Sequence, residues 1–81
     1  MRLLITTPTQ VGEILRGRRK ARGITQQELA TKLVIGQSRL STLEAQPGDL
    51  TLERLLLLAK LLGLELVLQD KSEPKTTKSE W

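Results

Sequence analysis

Residues 37–44 (QSRLSTLE) concentrate polar side chains whose hydrogen-bonding groups complement those of nucleobases. The amide of Gln37 can both donate to and accept from the exposed edge of an adenine. The guanidinium of Arg39 can donate to the two acceptors of a guanine. These groups predict contacts to base edges in double-stranded DNA, with an ordinary polar helix surface as the alternative. Three short hydroxyls complete the set of candidate base contacts: Ser38, Ser41 and Thr42.

Side chains for enzymatic or metal chemistry are scarce in this chain. Cysteine and histidine are absent, and Trp81 is the only aromatic residue. The serines and carboxylates therefore have no histidine, cysteine or metal cluster to act with, and disulfides are excluded. We expect a protein that is not an enzyme and that binds no cofactor or metal.

The basic residues are unevenly distributed. The chain has 13 Lys and Arg against 9 Asp and Glu, a net charge of +4, and five of the basic residues fall in the range 16–22. A net positive charge favours polyanionic partners only weakly. The run is either a solvated helix face or a set of contacts to flanking phosphates, and both interpretations stay open for its members other than Arg19. Those members are Arg16, Arg18, Lys20 and Arg22.

Capping residues indicate where the first two helices begin and end. Thr7 with Gln10 forms a capping box that predicts a first helix from Pro8 to Arg22, closed by Gly23. A second capping box, Thr25 with Glu28, opens a shorter helix whose buried stripe is Leu29, Ala30 and Leu33.

The break Val34-Ile35-Gly36 separates this second helix from a third, which starts at Gln37. Leu40 and Leu43 pack one narrow edge of the third helix and leave its polar face outward. Two short helices joined by a three-residue turn are typical of a helix-turn-helix unit, which places the second helix in the major groove. The N-terminus of the preceding helix then favours a phosphate, which makes Thr25 and Gln26 candidate backbone contacts.

The C-terminal third of the chain carries more apolar surface than one small core covers. After a turn at Pro47-Gly48-Asp49, Thr51 caps a fourth helix predicted from Leu52 to Leu62, and its four consecutive leucines span most of the helix circumference. Residues 64–69 then alternate like a strand, and residues 2–6 are a second candidate strand. These segments pair either within one chain or across a two-fold axis between two copies. The residues predicted at the dimer interface are Leu57, Leu58, Leu66, Val67 and Leu68.

The organisation predicted from these patterns is one domain, residues 1–70, followed by a disordered tail, residues 71–81. Trp81 ends this tail and is either a partner-binding anchor or a residue without a role. Residues 1–5 lack the apolar stretch of a signal peptide, and the leucine run is too short to cross a membrane. We therefore expect a cytoplasmic protein without a membrane partner.

The sequence resembles the XRE-type, Cro and phage-repressor-like helix-turn-helix family over residues 11–64. Two positions depart from the family pattern, because Val34 stands where glycine is common and Gly36 where Ser or Thr is common. If that turn requires a positive φ, a valine is strained there, and we expect a shifted turn. The resemblance also implies a structural ion pair between Arg19 and Glu44. The motif residues are Leu15, Arg16, Arg19, Gly23, Thr25, Gln26, Glu28, Leu29, Ala30, Ile35, Gln37, Ser38, Leu40, Ser41, Leu43 and Glu44.

Within this family the chain is most similar to the HipB-like antitoxins. The features that carry this similarity are the Thr-Pro-Thr-Gln start of the first helix, the strand-like residues 64–70 and the final Glu80-Trp81. The resemblance implies an all-α, phage-repressor-like domain whose short C-terminal strand forms an intermolecular sheet in a homodimer. It also implies binding to operator DNA upstream of its own operon and inhibition of a HipA-like serine/threonine kinase toxin by complex formation. The alternatives are a stand-alone XRE-type repressor without a toxin and a protein-interaction module built on the same scaffold.

Overall fold

Threonine side chains set the starts of three of the four helices within residues 2–71. The hydroxyls of Thr7, Thr25 and Thr51 each accept a hydrogen bond from the backbone amide three residues later. The computed structural model describes residues 2–71. The helices are α1 (Pro8–Ala21), α2 (Gln26–Leu33), α3 (Gln37–Ala45) and α4 (Leu52–Leu61), with one turn of 3-10 helix at Pro47–Asp49.

The same closing motif ends α1, α2 and α4. In each, a residue with a left-handed backbone donates to the carbonyl three residues back, and the next residue donates to the carbonyl five residues back. Gly23 (φ 68°) and Gly63 (φ 73°) occupy this left-handed position after α1 and α4, and Val34 (φ 60°) occupies it after α2. The expectation of a shifted turn is therefore wrong, because Val34 adopts the conformation that glycine adopts at the other two sites.

The core lies between α1, α2, α3 and the inner face of α4. Helix α3 buries Leu40 and Leu43 and lies against both α1 and α2. Gly12 permits the close approach of α1, since a Cβ there would collide with the carbonyl oxygen of Glu44 and lie 3.0 Å from Cγ of Pro47. The buried residues of the main cluster are Leu15, Leu29, Ala30, Leu33, Leu40, Leu58 and Leu62.

Leu58 was predicted at the dimer interface and lies instead in the core of the single chain, where it is only 1% exposed. Four consecutive leucines do not reveal which of them faces inward, and the docking of α4 selects Leu55 and Leu58. Leu57 remains 41% exposed. No helix within residues 2–71 is long and apolar enough to cross a membrane.

The two predicted strands are irregular in the single chain. Residues 2–6 and 64–71 carry no helix or strand. A strand needs a partner for its backbone groups, and these segments do not supply it to each other within one copy. Their ends nevertheless meet, because Nη2 of Arg2 donates a hydrogen bond to Oε1 of Gln69. The segments leave a row of exposed apolar side chains, namely Leu3, Leu4, Ile5, Leu66, Val67 and Leu68.

Candidate nucleic-acid interface

The outer face of α3 presents all five side chains that the sequence analysis nominated as base contacts. The helix is held to the core by Leu40, which is fully buried, and Leu43, which is 1% exposed. The hydroxyl of Thr42 donates to the carbonyl of Ser38 at 3.1 Å and keeps its lone pairs for an external donor. Gln37, Ser38, Arg39, Ser41 and Thr42 are all exposed.

A chain of hydrogen bonds runs from the surface of α3 into the core. Nε2 of Gln37 donates to Oε1 of Gln26 at 3.3 Å, and Nε2 of Gln26 donates to Oε1 of Glu44 at 2.9 Å. The first residues of α2 and α3 are therefore tied together. Since the amide of Gln26 is held at both ends, it orients the amide of Gln37.

The chain ends at a buried ion pair between α1 and α3. Nε of Arg19 lies 2.8 Å from Oε2 of Glu44, and Nη2 of Arg19 donates to Oε1 of Glu44 at 3.3 Å. Nη1 of Arg19 donates to the carbonyl of Ile24 at 2.9 Å. Two parallel charge-assisted bonds hold a planar guanidinium in one orientation, so the pair fixes α3 against α1.

The N-terminus of α2 is ordered by reciprocal hydrogen bonds. The hydroxyl of Thr25 accepts from the amide of Glu28 at 3.0 Å, and the amide of Thr25 donates to Oε1 of Glu28 at 2.8 Å. This second bond, with the hydroxyl of Thr25 and the charge of Lys32, lowers the pKa of Glu28 below its ordinary value. The first amides of the helix point beyond its end, where the helix dipole favours an anion.

Comparison with known proteins identifies the family. Residues 15–69 match the helix-turn-helix family model. Antitoxin HipB of Escherichia coli (strain K12) is 32% identical over 78 residues, which cover 94% of this chain and 89% of that protein. A chain of a solved HipB-O1-O2 complex superposes with a TM-score of 0.75 at 33% identity, covering 85% of this chain and all of that one.

The chain belongs to the HipB-like antitoxins of the XRE/Cro-type helix-turn-helix family. It is a DNA-binding protein, and the prediction that it is not an enzyme is confirmed by the family. The predicted helix-turn-helix unit is confirmed as well, since α2, the turn and α3 lie within the matched residues.

The basic run of this HipB-like chain divides into two groups that the sequence did not separate. Nε of Arg18 donates to the carbonyl of Leu62 at 3.1 Å, and Nη1 of Arg22 donates to the same carbonyl at 2.7 Å. Arg16 and Lys20 are exposed on the same helix. The first two therefore hold the carbonyl at the C-terminus of α4, and the second two are solvent-exposed.

Sequence reasoning also missed two contacts at the interface. Gln26 was predicted as a phosphate contact, and nothing in the sequence indicated that its side chain joins Glu44 to Gln37. Gly12 was not singled out, although it sits at the closest approach of α1 to α3. A glycine in the middle of an amphipathic helix was the available signal for such an approach, because it otherwise weakens the helix. Trp81, the predicted toxin contact, lies outside the described residues.

Proposed function

We propose that this chain is an operator-binding antitoxin that represses its own operon and neutralises a HipA-like serine/threonine kinase toxin. The DNA-binding part of this proposal rests on the exposed polar face of α3, which the buried ion pair of Arg19 and Glu44 holds in place. A recognition helix must be held rigidly if its side chains are to distinguish bases. The protein acts in the cytoplasm, where operator DNA and a kinase toxin are both accessible.

In the proposed complex the start of α3 enters the major groove. Gln37 contacts an adenine and Arg39 a guanine, each contributing about 1–3 kcal/mol of discrimination against a wrong base. Ser38, Ser41 and Thr42 make adaptable contacts to bases or phosphates. The network from Glu44 through Gln26 supports this assignment for Gln37, because it fixes the amide before DNA arrives.

The backbone contacts of this complex come from the N-terminus of α2. Thr25 and Gln26 meet a phosphate there, with the main-chain amide of Gln26 as donor because its side chain is already engaged. These contacts position the protein without selecting sequence. Binding therefore weakens steeply as salt rises, with a slope set by the number of phosphates neutralised.

The active form is a homodimer joined through the exposed apolar residues of α4 and the C-terminal segment. Leu57 and Leu66 are 41% and 46% exposed, and Val67 and Leu68 are 75% and 101% exposed. Such a row of apolar side chains favours association with a second copy of the chain. The strand of that copy also supplies hydrogen-bond partners for the backbone groups of the C-terminal segment. A two-fold dimer binds near-palindromic sites with half-sites about 34–36 Å apart.

Sedimentation of the full chain tests this dimer. The wild type is expected to sediment as a dimer, and a Leu66→Glu/Leu68→Glu variant as a monomer, since two charges cannot be buried unpaired at the interface. Leu52→Glu is the matched control, because Leu52 is 67% exposed on α4 outside the proposed interface. A wild-type monomer would show that the two ends pair only within one chain.

The toxin half of the proposal rests on the similarity to antitoxin HipB and on the chemistry of the last residue. In this proposal residues 1–70 form the DNA-binding and dimerisation domain, and residues 71–81 form the tail that binds the toxin. Trp81 anchors the tail, because tryptophan is strongly enriched among residues that dominate binding energy.

Capture of the HipA-like kinase of the source organism tests this assignment. The full chain is expected to retain the kinase and to inhibit its phosphorylation of a substrate, whereas a chain ending at Asp70 and a Trp81→Ala variant retain it weakly. Glu80→Ala is the matched control for the loss of one tail side chain. If no kinase is retained while operator DNA still binds, the chain is a stand-alone repressor.

A further inference from the structure

One arginine of α1 and the arginine that caps it converge on one backbone carbonyl at the C-terminus of α4. Arg18 reaches the carbonyl of Leu62 with Nε at 3.1 Å, and Arg22 reaches it with Nη1 at 2.7 Å. A carbonyl oxygen has two lone pairs, so these donors satisfy both. Positive charges at a helix C-terminus also complement the helix dipole.

The glycine after this carbonyl makes room for the second arginine. A Cβ on Gly63 would collide with Nη1 of Arg22. Gly63 also takes the left-handed conformation that turns the chain away from α4, and the amide of Leu64 donates to the carbonyl of Ala59 at 2.8 Å. The residues that direct the chain out of α4 are therefore held by hydrogen bonds from both α1 and α4.

Helix α1 is thus bonded to two other parts of the protein through neighbouring side chains. Arg19 holds α3 through the buried carboxylate of Glu44. Arg18 and Arg22 hold the point where the C-terminal segment begins. Because α1 is continuous through Arg18 and Arg19 and Arg22 is its C-cap residue, the start of the segment is fixed relative to the recognition helix.

We propose that Arg18 and Arg22 are positioning residues that set the half-site spacing read by the dimer. This inference rests on the proposed function, since it requires that the C-terminal segment joins two copies. The segment leaves each copy in one direction, so the two copies of α3 are held at one separation and one rotation. An added base pair moves a half-site by about 3.4 Å and rotates it by about 35°, which a rigid dimer does not follow.

The test compares spacing preference in full-length variants of equal charge. Arg18→Gln/Arg22→Gln removes both bonds to Leu62, and Arg16→Gln/Lys20→Gln removes two charges from exposed positions on the same helix. The probes are palindromic duplexes built from the half-site that the wild type selects, with spacers that differ by one base pair, and a duplex carrying one half-site.

The wild type and the Arg16/Lys20 variant are expected to prefer one spacer over its neighbours by about tenfold or more. The Arg18/Arg22 variant is expected to have the same dimerisation constant and the same affinity for a single half-site as the Arg16/Lys20 variant. Its spacer preference is expected to fall to about threefold or less. Restoring Arg22 alone recovers part of the preference, because the shorter of the two bonds returns.

Two results would overturn the inference while leaving the proposed function standing, and a third would overturn both. An unchanged spacer preference in the Arg18/Arg22 variant would show that these bonds do not set the geometry of the dimer. A loss of single half-site affinity much larger than in the control, with a shallower salt dependence, would assign the two arginines to phosphates. A wild-type chain that is monomeric or selects no palindrome overturns the proposed function itself, and the inference with it.

Discussion

The turn between α2 and α3 contains a strained residue whose replacement should stabilise the protein. Val34 has φ 60° and ψ 46°, a left-handed conformation in which a β-branched residue is an outlier. Gly23 and Gly63 occupy the equivalent position after α1 and α4. Val34→Gly therefore removes strain from a turn whose hydrogen bonds are already compatible with glycine.

The size of this effect follows from three contributions. Relief of left-handed strain in a non-glycine residue is worth about 2 kcal/mol, within a range of about 1–3 kcal/mol. The added flexibility of glycine in the unfolded chain offsets about 0.5–1 kcal/mol. Because the residue is 87% exposed, the loss of buried apolar surface offsets only about 0.3 kcal/mol more. The net gain in the free energy of unfolding is about 1 kcal/mol, or about 4–8 °C in Tm for a domain of this size.

Thermal unfolding followed by circular dichroism measures this gain, with Gly23→Val as the matched control. The control places the same side chain in the same motif where no neighbouring atom lies within 4 Å, so it should lower the Tm. A Val34→Gly variant that melts at or below the wild-type temperature would refute the reasoning. An unchanged Tm in Gly23→Val would refute it independently, because backbone strain would then have no measurable cost.

Three further perturbations follow from the contacts of α1, α2 and α3. Gly12→Ala should lower the free energy of unfolding by about 1–3 kcal/mol in urea melts, because its Cβ collides with a carbonyl. Gly17→Ala is the control on the same helix: its Cβ lies in open space, so the substitution should raise the free energy of unfolding by about 1 kcal/mol. Glu44→Ala leaves the guanidinium of Arg19 buried without its partner and should destabilise by about 3–5 kcal/mol, against a smaller loss in a variant that replaces both residues by apolar ones. The pKa of Glu28 is lowered, so its contribution to stability is complete above its unfolded pKa and is lost as pH falls through the folded pKa. Glu28→Gln should therefore flatten the loss of stability at acid pH. An NMR titration that finds an ordinary pKa for Glu28 contradicts this prediction.

Local side-chain chemistry predicted the helices well. The capping threonines and the closing glycines are read directly from the sequence, because each acts on backbone groups within a few residues. The predicted ends of α1 and α4, Arg22 and Leu62, are the capping residues immediately after those helices. The same reasoning failed at Val34, because a valine gives no local signal in the sequence that its backbone is left-handed.

Contacts between distant segments were only partly predictable. The outward face of α3 followed from the spacing of Leu40 and Leu43, which identifies the packed edge. The roles of Arg18 and Arg22 depend on where the end of α4 lies, which is a property of tertiary packing. The placement of Leu58 in the core likewise depends on which side of α4 faces the other helices, and a run of identical side chains does not indicate that side.

Selection of binding sites from a random duplex library tests the central claim most directly. The wild type should enrich a near-palindrome with half-sites one helical turn apart, and Gln37→Ala/Arg39→Ala should enrich no sequence while retaining its fold and oligomeric state. Each side chain is expected to contribute about 5-fold to 150-fold of discrimination, which corresponds to about 1–3 kcal/mol. If the wild type enriches nothing, or the double variant enriches the same palindrome, the outer face of α3 is not the surface that reads DNA.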